Sequence, residues 1–115
     1  MKYLLLFVGT QEDQERWDSQ SREQYEAAMA GAGKWFDEYT SAGKIVGGLQ
    51  LAGPNGVTTV RTDNGSRIVT DGPFIESKEI IGGFAIVEAE DLAEAQAIAK
   101  SWAGGPVEIW PAVQT

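Results

Sequence analysis

The sequence predicts an α+β fold: an antiparallel sheet with helices on one side, in the order β-α-β, hairpin, β-α-β. Three observations carry that expectation. Short apolar runs of strand length occur at Tyr3–Val8 and Ile80–Val87, bounded by glycine or charge. Two longer stretches, 21–41 and 91–102, repeat their apolar residues at spacings of three and four. Between them lies a turn-rich region, 52–74, with two short β-branched segments.

The elements follow in order. Tyr3-Leu4-Leu5-Leu6-Phe7-Val8 ends at Gly9 and reads as a strand buried on both faces. Gln11 to Gln20 is polar and acidic and reads as a loop. From Ser21 to Ser41 a helix is expected on the stripe Tyr25, Ala28, Met29, Ala32, Trp35, Phe36, Tyr39. Ser21 is its N-cap, Gln24 completes a capping box, and Gly43 suits the left-handed stop. Gly31 and Gly33 each cost about 1 kcal/mol in a helix and mark close packing or a break.

Lys44 to Leu51 reads as a second strand, with a bulge or bend at Gly47-Gly48. Val57–Arg61 and Arg67–Thr70 form a hairpin joined by a Gly-containing loop, Thr62 to Ser66. Ile80–Val87 is a further strand, interrupted at Gly82-Gly83. Asp91 opens the second helix with Glu94 in a D-x-x-E cap. Leu92, Ala95, Ile98, Ala99 and Trp102 form its buried stripe, and Gly104-Gly105 ends it. Val107, Ile109 and Val113 alternate with Glu108 and Trp110 in a last strand. This order matches a ferredoxin-like split β-α-β plan with a hairpin inserted, a single domain over 1–115.

Two helices cover one face of such a sheet, yet the first strand is apolar at both alternating sets. A second apolar face is rarely left in water, and the simplest cover is the same face of a second copy. A homodimer, or a higher even homo-oligomer, is the expected assembly.

Composition narrows the chemistry. Nine basic against seventeen acidic residues give a net charge of −8, which argues against nucleic acid and against an anionic membrane surface. No segment approaches the ~18 apolar residues of a membrane span. The Met1-Lys2 start has the outline of a signal peptide. Its apolar run is too short, however, and Glu12, Asp13 and Glu15 follow at once. The expected location is the cytoplasm, with which the lack of cysteine is compatible. There is also no histidine, so thiol, imidazole and Cys/His metal chemistry are excluded. No phosphate loop is present, and the expected cofactor is none.

The stretch Asp71-Gly72-Pro73-Phe74-Ile75-Glu76-Ser77-Lys78-Glu79 closely resembles the DGPFAETKE signature of the YCII-related, or DGPF-domain, proteins. Ile75 stands for Ala and Ser77 for Thr. The Met1-to-Leu6 opening, Gly47-Gly48-Leu49, Gly82-Gly83-Phe84 and the closing Val107-Glu108-Ile109-Trp110-Pro111 are similar to that family too. The resemblance implies a ferredoxin-like fold that dimerises into an α+β barrel. Some relatives carry a His–Asp pair proposed for catalysis in the dimer cleft; with no histidine here, only Asp71 is put forward as its acidic partner. The family's association with extracytoplasmic-function sigma factors implies a regulatory or ligand-sensing setting.

Asp71 has two readings: a working carboxylate beside Phe74, or the residue that fixes the turn before Gly72-Pro73. Lys78 is either an anion clamp or part of a solvated connector, and Glu79 is a second carboxylate under the first reading. An oxygen-only metal site of Asp71, Glu76 and Glu79 is the weaker option. Tyr3, Phe84 and Trp110 are strand residues placed to line an interface pocket, and Arg61 and Arg67 sit on the hairpin. The function expected is small-molecule binding in a dimer cleft. An enzyme relying on Asp71 with Lys78 or Glu79, or a ligand-free assembly component, are the alternatives.

Overall fold

The computed structural model describes residues 1–74 and 79–114. Among the described residues, six strands and three helices follow one another. They are β1 (Lys2–Thr10), α1 (Gln11–Ser19), α2 (Arg22–Ser41), β2 (Ile45–Gln50), β3 (Thr58–Asp63), β4 (Ser66–Asp71), β5 (Glu79–Glu88), α3 (Leu92–Lys100) and β6 (Val107–Pro111). A 3-10 turn, Pro54–Gly56, precedes the β3–β4 hairpin. Four strands make an antiparallel sheet in the order β2-β5-β1-β6, compatible with the ferredoxin-like plan; β3 and β4 form a separate two-stranded ribbon.

The first departure from expectation follows β1. The segment after β1 is not a loop but a helix, α1. Its polar sequence carries no apolar period, since Trp17 is its one large apolar residue. Local bonds form it instead. Thr10 caps the Asp13 N–H, the Asp13 carboxylate returns to the Thr10 N–H at 2.8 Å, and Arg16 bridges Glu12 and Asp13.

Helix α2 keeps the predicted Ser21–Gln24 capping box and the positive φ at Gly43. It runs unbroken through Gly31 and Gly33, and a Cβ built at either would meet nothing within 4 Å. These glycines mark neither a break nor close packing within the chain. Helix α3 ends at Lys100, four residues before Gly104. The remaining residues turn so that the Trp102 indole lies over Gly104, where a Cβ would sit 2.5 Å from its Nε1.

The core lies between the helices and the sheet face carrying Tyr3, Leu5, Ala85 and Val87, with Trp35, Ile45, Ala89, Ala95 and Ile98. Beside it Phe7, Trp35, Phe36 and Trp102 pack edge to face or tilted, with ring centroids 4.8–6.4 Å apart. Ser101 gathers the polar atoms of Trp35 and Tyr39. Trp35 Nε1 donates to Ser101 Oγ at 2.8 Å, and Ser101 donates its single proton to the Ile98 carbonyl at 2.6 Å. The Tyr39 hydroxyl, 2.8 Å from the same oxygen, must therefore be a donor.

Both glycine pairs sit where a strand register shifts. The β1–β5 ladder shifts between Phe7 and Val8, opposite Gly82, and the β2–β5 ladder shifts between Ile45 and Gly47. The hairpin turns through two residues, Asn64-Gly65 with φ of 49° and 81°, rather than the five-residue loop expected.

Candidate functional site

The ladder register builds a second, open sheet face. Directly paired residues share a face, and side chains alternate along each strand. With Tyr3 and Leu5 turned to the helices, Leu4 and Leu6 face away. Across the sheet two rows result: Gly47, Ile86, Leu4, Trp110, then Leu49, Phe84, Leu6, Glu108. Val8 and Ile81 extend the face beyond the bulge. Leu4, Leu6, Val8, Phe84 and Ile86 are half-buried, while Leu49, Ile81 and Trp110 are 54%, 47% and 55% exposed. A face this apolar on a chain with 26 charged residues (nine basic, seventeen acidic) is the feature that needs explaining.

Carboxylates lie at its margins, among them Glu79 opposite Thr10, beyond Val8 and Ile81. Glu108 lies at the β6 end of the second row, and its Oε1 accepts the Trp110 indole N–H at 3.0 Å. At the far end of the sheet Lys2 pairs in register with Glu88, whose carboxylate takes the Met1 ammonium at 3.1 Å.

Of the described residues singled out from sequence, Phe84, Trp110 and Glu79 share the open face, and the others lie elsewhere. Tyr3 is buried on the helix side of β1 with its hydroxyl 3.9 Å from Met1 Sδ, on the opposite face from Phe84 and Trp110. Asp71 is exposed at the end of β4, paired with Thr58. The turn after it is held by the Gly72 N–H on the Val57 carbonyl at 2.7 Å and Thr59 Oγ1 on the Gly72 carbonyl at 2.6 Å. Phe74 is exposed just beyond. Arg61 is exposed on β3, paired with Ile68. Glu79 begins β5 opposite Thr10. Lys78 and Glu76 lie outside the described residues. Among those described, no group of three or more Asp or Glu is placed to hold a metal ion.

Two surface depressions accompany α2. One of about 750 Å³ is lined by Ala30, Gly33, Lys34, Asp37, Glu38 and Ser41. The other, about 420 Å³, lies by Trp17, Asp18, Gln20, Ser21, Arg22 and Tyr25. Both are open furrows on the helix side, remote in sequence from the signature and from the open sheet face. What the described chain offers besides is a broad apolar face with carboxylates at its margins.

Residues 1–103 match the sequence model of the YCII-related domain. The chain belongs to the YCII-related family. An uncharacterized protein of Rhizobium meliloti (strain 1021) is 31% identical over 100 residues, covering 87% of this chain and 78% of that protein. For this YCII-related chain the open face was legible only in part. The alternation of Leu4 and Leu6 with Leu5 flagged a second apolar set. Leu49, Ile86 and Glu108 join it through pairings that no local pattern specifies. Among the described residues no helix is long and apolar enough to cross a membrane.

Proposed function

We propose that this YCII-related chain works as a homodimer whose two open sheet faces pack together into an α+β barrel. In this reading it binds a small organic molecule in the cleft between them, in a regulatory or sensing role. The observation that carries the proposal is the pair of apolar rows Ile86–Leu4–Trp110 and Leu49–Phe84–Leu6, uncovered by any element of the described chain. The area agrees. The chain exposes 8278 Å², against about 6,100 Å² for a compact monomer of 12.4 kDa. The excess, roughly 2,000 Å², is what one protomer of a large obligate dimer buries. Binding is favoured over catalysis because histidine and cysteine, the commonest general base and thiol nucleophile, are both missing.

Sedimentation equilibrium at micromolar concentration is the test. The wild type should sediment at twice the chain mass, and Leu6→Asp should shift it to monomer, since a carboxylate in the centre of the face would be buried without a partner. Thermal shift against small-molecule panels should then find ligands that stabilise wild type and not Leu6→Asp. A wild-type monomer would sink the reading.

A further inference from the structure

The β3–β4 hairpin does not join the main sheet, and a two-stranded ribbon alone is at best marginally stable in water. Its faces differ. Thr59 and Ile68 are half-buried on one side. On the other, directly paired Val60 and Val69 are 51% and 67% exposed, flanked on the same face by the Thr62–Arg67 pair toward the turn and the Thr58–Asp71 pair toward the base. Arg67 Nη1 donates to Thr62 Oγ1 at 3.0 Å, a neutral partner that holds the guanidinium over this face.

Resting on the dimer reading above, we propose that the hairpin is an arm that packs on the open sheet face of the second copy. It covers the β6 margin of that face, beyond the part that the sheet itself covers: Val60 and Val69 lie against its Trp110, and Arg67 lies on its Glu108. Three considerations carry this. The first is area. Four strands about 4.8 Å apart, with some six paired residues at about 3.3 Å each, make a face of only about 400 Å². Even allowing for side-chain relief, that falls well short of the roughly 2,000 Å² excess, so further surface must be covered. The hairpin is the element with an uncovered β-branched face. The second is charge complementarity. The arm offers two valines with a cation toward its turn and Asp71 set back at its base, and the β6 edge of the sheet face offers Trp110 beside the Glu108 carboxylate. The third is desolvation. Burying the β6 margin strips water from Glu108, and a guanidinium delivered by the partner offsets that desolvation.

The experiment is a charge-reversal cycle read by sedimentation equilibrium, with circular dichroism confirming that each variant folds. Arg67→Glu and Glu108→Arg should each raise the dimer dissociation constant tenfold or more. The double variant Arg67→Glu/Glu108→Arg should recover most of that loss, because the pair is restored with its signs exchanged. Val69→Asp should weaken the dimer comparably. A second measurement does not depend on affinity. The chain has no cysteine, so mixed Arg67→Cys and Glu108→Cys proteins should form a cross-linked heterodimer under mild oxidation, and neither alone should do so in comparable yield. A double variant no better than the worse single, an unchanged dimer in Val69→Asp, or no cross-link would overturn the arm. If Leu6→Asp still dissociates the protein in that case, the dimer stands and the arm alone falls. A wild-type monomer removes both.

Discussion

At the scale of single residues, backbone contact rather than side-chain chemistry sets the strictest demands. Gly48 has φ of +143°, and a Cβ there would sit 2.4 Å from the Phe84 carbonyl oxygen and 2.9 Å from the Ala85 Cα. Its neighbour Gly47 differs: a Cβ would meet only the tip of Ile86 at 3.4 Å. Gly48→Ala should therefore cost about 2–4 kcal/mol, from strained φ and forced separation of β2 from β5, while Gly47→Ala should cost under about 1 kcal/mol. Urea denaturation of both variants checks this. Equal losses would show that β2 does not need its close approach to β5. Because β2 carries Leu49, that approach is also what brings the fourth strand into the open face.

At the scale of elements, an ion pair ties β2 to α3. Lys44, just before β2, donates from Nζ to Glu94 Oε1 at 2.9 Å, and the same oxygen accepts the Glu90 N–H at 3.1 Å. The lysine bond first, and the backbone N–H second, hold the Glu94 carboxyl below its ordinary value, while the bond to Glu94 raises Lys44 above its own. The folded state thus binds the Glu94 proton more weakly than the unfolded chain does. Its contribution is complete above the unfolded value near 4.5 and disappears as pH falls through the lowered folded value. The Lys44 contribution is complete below 10.5 and is lost above the raised folded value. Melting curves from pH 7 to pH 3 should show Glu94→Gln less stable than wild type at neutrality, with the gap closing below pH 4.5. Added salt should shrink the gap, since both groups are partly solvated. Asp13 loses its own Thr10 bonds in the same acid range in both proteins, so the comparison isolates Glu94. Parallel curves across that range would mean the pair does not clamp α3 to the sheet.

At the scale of the whole molecule, the chain is a plate. Its extents are 47 × 44 × 20 Å and its radius of gyration is 16.2 Å, against about 13 Å for a compact domain of 115 residues. A plate with an uncovered apolar face is what the dimer reading proposed above addresses, a second copy being the one surface guaranteed to be present at equal concentration. If so, folding and association are linked, and the melting temperature should rise with protein concentration by about 3 °C per tenfold. A melting temperature constant over two decades of concentration would show that the monomer carries its own stability.

The elements with strong local signals were legible in the residues. The Ser21–Gln24 capping box, the three-four stripe of α2, the Asp91 cap and the apolar strand runs each report physics acting within a few positions. The signature and its neighbourhood likewise carried the family. Helix α1 escaped because a helix held by caps and i,i+4 pairs has no buried face to impose a period. The site escaped for a related reason. Whether Tyr3 lies inside while Phe84 and Trp110 lie outside depends on strand register and on two bulges. A one-residue shift exchanges the faces without changing the local pattern. Composition by itself determined that neither thiol nor imidazole chemistry operates here, because those atoms are absent. Only the tertiary structure decided that Leu4, Leu6, Leu49, Phe84, Ile86, Glu108 and Trp110 form one surface, because long-range hydrogen bonding between strands far apart in the chain sets which side chains stand together.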